Sequence, residues 1–363
     1  MSVEFRSLTR SYGAKRALDG LDLAVEPQSF TVLCGPPASG KSVLFRILVG
    51  LETPDAGQVL LSGRDITGAP PAERPIGYVP QSFALYPHQT VAQNMAYPLT
   101  LAKAPKDEIA RRVDRTAGIL AITHLLKKTP DQLSGGEKQR VAVARGLLKN
   151  AEIFVLDDPL VGLDYKLRER LMDELKALRE ELKATFLYAT SDSLEALTMA
   201  QRLVVLDKGR VVQHDGAIAV YDDPRHMRSL DLVGFPHANL VPGTLSGGRL
   251  DAGPLRASGL FQGFEGAVIA GLRPEAIRLM PQAGARPADA ALLQIDAEVT
   301  LVENLGGEAV VYVEAGGHPL TATMPLTGAP PPELGTRLRL AVDPADIMLF
   351  DAGSGARLGA GRL

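Results

Sequence analysis

One cysteine, Cys34, occurs in 363 residues. An internal disulfide is therefore excluded, and the chain suits a reducing compartment. Cys34 lies in an apolar run ahead of a glycine loop, where a buried core thiol is expected rather than a reactive one. Excess basic charge is also missing: the formal net charge is −3, so no field favours nucleic acid. No run of about 18 uninterrupted apolar residues is present, so no segment is expected to span a bilayer. The opening residues Met1 to Arg6 carry no apolar signal region. These absences predict a chain that works in the cytoplasm and reaches a membrane only through a partner. What is there is ordinary for a globular protein with a full core, 45% hydrophobic and 22% charged. The length predicts two or three domains.

The chain is organised around Gly35-Pro36-Pro37-Ala38-Ser39-Gly40-Lys41-Ser42, which fits the phosphate-loop pattern G-x-x-x-x-G-K-[ST]. An ordinary glycine turn could also join a strand to a helix, so the flanks matter. Phe30–Cys34 is apolar and β-branched and reads as a buried strand; Ser42–Val49 reads as a helix closed by Gly50. Such a junction points backbone N–H groups and a helix N-terminus at an anion. Lys41 is placed to reach the β- and γ-phosphates of a nucleotide, and the Ser42 hydroxyl to ligate Mg2+.

Residues 1–30 alternate apolar and polar and predict a small antiparallel region. Tyr12 falls where a ring could stack on adenine, although alone it reads as an exposed turn tyrosine. Further strands are predicted at Gln58–Leu61 and Ile76–Val79, with Gln81 just after the second, and helices from about 90 to 150. One of these begins at Ser134-Gly135-Gly136-Glu137, a capping-box spacing whose glycines leave N–H groups open to another molecule's phosphate. A plain helix cap would have the same sequence. Ile153–Leu156 is a second buried strand, ending in Asp157-Asp158, an acidic pair suited to holding Mg2+ and positioning water. Asp164 follows a short loop, then a helix to about 183, a third core strand at Thr185–Thr190 and a hairpin turning at Lys208-Gly209. Beyond about 235 short β-like runs alternate with glycine and proline and suggest small β-barrels. Residues 281–290 read as a loop, and 352–363 as a loose tail.

Phosphate loop, Gln81, Leu133-Ser134-Gly135-Gly136-Glu137, Ile153–Asp158 and Asp164 stand in the order seen in ATPase subunits of ABC transporters, which residues 1–235 resemble. Phe83–Val91 and Gly271-Leu272-Arg273-Pro274-Glu275 resemble the bacterial carbohydrate-importer branch, of the maltose and glycerol-phosphate type. The resemblance implies an α/β P-loop NTPase with a helical subdomain at about 85–150, followed at 236–363 by an all-β, oligonucleotide-fold-like regulatory or dimerisation domain. It also implies ATP and Mg2+ as ligands. Tyr12 would stack on adenine, and Gly35, Pro36, Pro37, Ala38, Ser39, Gly40, Lys41 and Ser42 would hold the phosphates. Ser42, Gln81 and Asp157 would serve Mg2+, with Gln81 also touching the membrane subunits. Ser134, Gly135 and Gly136 would bind the γ-phosphate of ATP held by an opposed ATPase subunit, with Asp164 at the seam. The partners implied are that second ATPase, two permeases and a periplasmic binding protein, on the cytoplasmic face of the inner membrane.

Two positions depart from the family's pattern. Its members usually carry glutamate as general base where this chain has Asp158, and histidine on the γ-phosphate where this chain has Ser191. The aspartate falls short by about 1.5 Å, and a misplacement of about 1 Å can cost on the order of 100-fold. The expectation is a subunit that binds ATP well, hydrolyses it poorly at its own loop, and completes the site of an unlike ATPase with its intact signature. A slow homodimeric importer ATPase and an ATP-sensing regulatory module are the competing readings. DNA-repair relatives carry a coiled coil between loop and signature, and translation-type relatives carry two ATPase halves; neither feature is present. The resemblance implies a carbohydrate, a polyol, glycerol or glycerol phosphate as cargo, with glycerol favoured.

Overall fold

The structure is a computed structural model that describes residues 1–258, 264–281, 292–326 and 330–358. The chain divides into two compact units, Met1–Ala217 and Ile218–Leu363.

In the first unit, β1 (Val3–Tyr12) and β2 (Lys15–Val25) form the antiparallel pair expected of the N-terminus. Val3 and Phe5 point inward by alternation; a register shift between Phe5 and Leu8, with Ser7 at φ 47°, turns Leu8 inward too. The parallel strands are β3 (Phe30–Cys34), β6 (Ile76–Val79), β7 (Ile153–Asp157), β8 (Thr185–Thr190) and β9 (Arg202–Asp207). β4 (Ala56–Leu61) and β5 (Arg64–Asp65) extend the first sheet to the order β2-β1-β4-β5. β10 (Arg210–Gly216) closes the second, antiparallel to β9, in the order β10-β9-β3-β8-β7-β6. β3, β7 and β8 are buried along their whole length, as strands covered on both faces must be. Aromatic rings stack across these strands: Phe186 on Phe30 at 5.5 Å and on Phe154 at 5.1 Å.

Six helices accompany these strands: α1 (Lys41–Leu48), α2 (Val91–Leu101), α3 (Lys106–Ile119), α4 (Gly135–Leu147), α5 (Tyr165–Leu182) and α6 (Ser193–Met199). Helix α2 packs on α3 and α4 in the stretch expected to be helical. One core of Phe5, Leu18, Leu33, Phe45, Ile47 and Leu187 joins both sheets to α1. The C-terminal carbonyls of α1 are closed by the buried Arg74, which donates to Ile47 O at 2.8 Å and Leu48 O at 2.6 Å.

The second unit carries α7 (Ala217–Asp222), which begins at the last residue of the first, and α8 (Met227–Leu232). One antiparallel sheet takes β11 (Asn239–Ser246), β12 (Arg249–Ala252), β13 (Leu255–Ser258) and β14 (Gly266–Leu272). The other takes β15 (Ile277–Pro281), β16 (Leu293–Asn304), β17 (Glu308–Ala315), β18 (His318–Pro325) and β19 (Arg337–Val342). β20 (Met348–Asp351) returns to the first, giving the orders β13-β12-β11-β14-β20 and β15-β19-β16-β17-β18 around one apolar cluster. The units divide upstream of the composition change at about 235. Helix α8 lies against β14, and Arg273 donates to Val233 O at 2.8 Å and Tyr221 O at 2.6 Å.

The expected loose tail is corrected over 352–358. Asp351 N donates to Ala356 O (2.9 Å), Arg357 N to Arg225 O (3.0 Å) and Leu358 N to Leu349 O (2.8 Å), so main-chain bonding that composition does not reveal holds the segment. Pro281 ends β15; residues 282–290 of the expected loop lie outside the described residues, as do 359–363.

Candidate functional site

β3 lies between β9 and β8, and its C-terminal end opens into the loop Gly35–Gly40, where ligands of parallel sheets bind. Close packing dictates the loop's first residue: a Cβ on Gly35 would stand 2.1 Å from Leu206 O. Gly40 adopts φ 111° immediately before α1. The buried Lys41 folds its ammonium back across the loop, donating to Gly35 O at 2.6 Å and Pro36 O at 3.1 Å. Burial depresses its pKa, opposed by the charges of Asp158 and Asp157.

The loop floors an open cleft of about 530 Å3, into which Tyr12, Lys41, Ser42, Gln81, Asp158 and Ser191 all face. Pro37, Ala38, Ser39 and Gly40 also line it. A neighbouring groove of about 710 Å3 shares Ser42 and Gln81 and adds Asp157. The Ser42 hydroxyl donates to Asp157 Oδ1 at 3.0 Å. Burial raises the Asp157 carboxyl; the Ser42 bond opposes this and the Asp158 charge adds to it. Burial also raises Asp158, with the Lys41 charge and the Ser191 N–H pulling the other way. Asp158 sits at φ 46°, and its buried Oδ1 has no hydrogen-bond partner.

The Ser191 segment is held from behind. Asp192 caps α6, accepting from Leu194 N and Glu195 N at 3.0 Å each, and pairs with Arg168 of α5 at 3.0 Å. Tyr188 donates to the buried Glu195, whose carboxyl is pushed up to about 7, chiefly by burial. At the far end of the cleft Tyr12 donates to Glu52, which also accepts from Arg10 Nε at 2.8 Å and Arg46 Nε at 3.0 Å. The Arg10 guanidinium lies 5.0 Å from the Tyr12 ring centroid.

The remaining expected residues do not line this cleft. Ser134 caps α4, accepting from Glu137 N at 3.3 Å, and Glu137 accepts from Ser134 N at 2.7 Å. Space beside Gly135 is open, whereas a Cβ on Gly136 would meet Leu163 Cδ2 at 3.1 Å. Asp164 caps α5 by accepting from Leu167 N at 3.0 Å.

Three groups of residues went unread in the sequence. Arg46 follows Ser42 by one helical turn, a signal available in the spacing. Tyr78, whose hydroxyl pKa is raised by burial and by the Asp157 charge, lies on β6 three residues before Gln81. Nothing local marked Glu52 or the Tyr188–Glu195 pair, since each depends on contacts between separate elements.

These residues can hold a magnesium nucleotide. The buried Asp157 carboxylate, the half-buried Asp158 carboxylate with its unpartnered Oδ1, and the Ser42 hydroxyl form a hard-oxygen donor set. Among the described residues no cluster of three or more His, Cys, Asp or Glu could hold a metal alone.

A family profile described as ABC transporter matches residues 18–161, and one described as TOBE domain matches 270–350. The sulfoquinovosyl glycerol transport ATP-binding protein SmoE of Agrobacterium fabrum is 37% identical over 359 residues, covering 97% of this chain and 98% of its own length. The sn-glycerol-3-phosphate import ATP-binding protein UgpC 3 of Rhizobium johnstonii is 38% identical, with 91% of each chain covered. A dimeric post-hydrolysis structure of the cassette MJ0796 bound to ADP and Pi aligns at TM-score 0.56 and 29% identity, over 59% of this chain and 98% of that one.

Proposed function

The chain belongs to the ABC transporter family as an ATP-hydrolysing subunit with a C-terminal TOBE domain, and on that premise we propose that it energises uptake of a glycerol-type, polyol or carbohydrate cargo with an unlike ATPase as its partner. The cargo class rests on relatives named for glycerol-3-phosphate and sulfoquinovosyl glycerol. Among the described residues no helix is long and apolar enough to cross a membrane. On the strength of relatives named as import ATP-binding proteins, the chain is proposed to sit on the cytoplasmic face of the inner membrane, beside two permeases and a periplasmic binding protein.

The observation that carries the pairing is the separation of the two nucleotide motifs. The cleft over Lys41 is lined by the phosphate loop, Gln81, Asp158 and Ser191, while Ser134–Gly136 stand at the start of α4 and line none of it. A second subunit that brings its own signature to this loop completes one site, and this chain's signature completes the other. Tyr12, held by Glu52, offers the adenine a ring; Lys41 exchanges loop carbonyls for phosphate oxygens; Ser42, Asp157 and Gln81 would hold Mg2+, which would neutralise phosphate charge. At the own-loop site Asp158 is the base, one methylene short, and Ser191 offers a hydroxyl where the family has an imidazole.

The test looks for a second ATPase encoded beside this chain, and compares ATP turnover by the purified chain alone and combined with that candidate. Slow hydrolysis alone and brisk hydrolysis together support the reading. Brisk hydrolysis by the lone chain overturns the unlike pairing, and failure to co-purify with permeases overturns the transport role.

A further inference from the structure

The segment after Gln81 has a backbone that its sequence does not favour. Phe83 and Ala84 adopt φ 60° and 51°, two consecutive non-glycine residues in the left-handed region. Their local bonds are few: Phe83 N reaches Pro80 O at 3.3 Å and Ala84 N reaches Ser82 O at 2.6 Å. Something outside the turn must hold it.

Arg145 does so. Its guanidinium donates to Ala84 O at 2.7 Å and to Phe83 O at 3.1 Å, and its centre lies 5.3 Å from the Tyr86 ring centroid. Tyr86 is fixed in turn: its N–H donates to the buried Asn94 at 2.8 Å, and its ring meets that of Tyr97 at 4.7 Å. Among the described residues Arg145 has no carboxylate partner, so a half-buried cation is spent on two main-chain carbonyls. It belongs to α4, the helix that begins at Ser134, roughly 16 Å back along the axis.

We propose that Arg145 is a positioning residue that holds the turn after Gln81 in register with α4, so that the signature end of the helix and the glutamine in the nucleotide cleft move as one piece. The inference rests on the reading of Gln81 as a group serving Mg2+ or its water. A planar, bidentate donor is needed, because two carbonyls on adjoining residues must be gripped together; a lysine supplies charge without the fork. Glycine at position 84 accepts the left-handed backbone without a Cβ penalty and so lessens the need for the grip.

The test uses the full chain and trinitrophenyl-ATP, titrated with Mg2+ and with chelator. Arg145→Lys is expected to lose about tenfold of the Mg2+-dependent tightening, as loss of a supporting partner does at metal sites, with metal-free affinity held within about twofold. Ala84→Gly added to Arg145→Lys is expected to recover part of that loss. Gln81→Ala serves as reference. If it diminishes the Mg2+ effect and Arg145→Lys does not, the positioning role is overturned. If Gln81→Ala leaves the Mg2+ effect intact, the reading of Gln81 fails and the positioning role with it. Equal weakening with and without Mg2+ marks Arg145 as merely structural and also overturns the proposal. Should Arg145→Lys fail to fold, Tyr86→Leu, which removes the ring under the guanidinium, carries the same decision.

Discussion

Converting Asp158 to glutamate and Ser191 to histidine in one chain should raise turnover at the own-loop site. Both side chains face the cleft, and Ser191 is exposed, so an imidazole there displaces no core residue. The added methylene carries the carboxylate forward by about 1.5 Å. Since about 1 Å of misplacement costs on the order of 100-fold, the double variant is expected to hydrolyse ATP roughly 100-fold faster than the parent chain when each is paired with a partner whose own phosphate-loop lysine has been removed, so that only this site turns over. The fold exacts a cost. Position 158 sits at φ 46°, and aspartate tolerates the left-handed region better than glutamate does. A loss of about 1 kcal/mol follows, a fall of about 2–4 °C in Tm for a unit of this size. Steady-state phosphate release measures the gain and a thermal melt the cost. If turnover stays within about twofold of the parent while trinitrophenyl-ATP still binds, reach was not limiting and the weak-site reasoning fails.

Arg74→Ala should cost about 3 kcal/mol or more, because the carbonyls of Ile47, Leu48, Thr67 and Ala69 lose a buried charged donor; urea unfolding checks it. Glu195 should give stability a pH dependence of defined sign. Its folded pKa, about 7, lies above the ordinary carboxylate value, so the folded chain keeps a proton that the unfolded chain releases. Its contribution therefore falls as pH rises from the usual carboxylate range towards 7 and levels off above that. Glu195→Gln should remove this slope, and unfolding midpoints at about pH 5.5 and about pH 8 would reveal a slope that persisted. Cys34 is buried and its thiol pushed up to about 12. Ellman's reagent should leave it unlabelled in the native chain and titrate one thiol after unfolding.

The local record was strong wherever function needs a particular backbone. Gly35 and Gly40 mark a turn that side chains cannot enter, Phe30–Cys34 and Ile153–Leu156 announce buried parallel strands, and Ser134 with Glu137 announces a cap. Each feature depends on residues within a few positions of each other, so spacing alone exposes it. The tail differs from its expectation for the opposite reason: small residues at 352–358 look loose by composition, but a local turn on Asp351 and main-chain bonds to Arg225 and Leu349 hold them.

Sequence alone offered the phosphate loop, the order of the nucleotide motifs, the acidic pair, and the proposal that Asp158 and Ser191 weaken the site. Tertiary structure decided which of those residues share one cleft. It brought Tyr12, Gln81 and Ser191 to Lys41 from three separate stretches of chain, and left Ser134–Gly136 elsewhere. It also supplied the supports behind them, Glu52 under Tyr12, Glu195 behind Ser191 and Arg145 on the turn after Gln81. Those supports were invisible because a buried polar contact between separate elements leaves no period or spacing in the sequence; only the packing that removes both partners from water creates it.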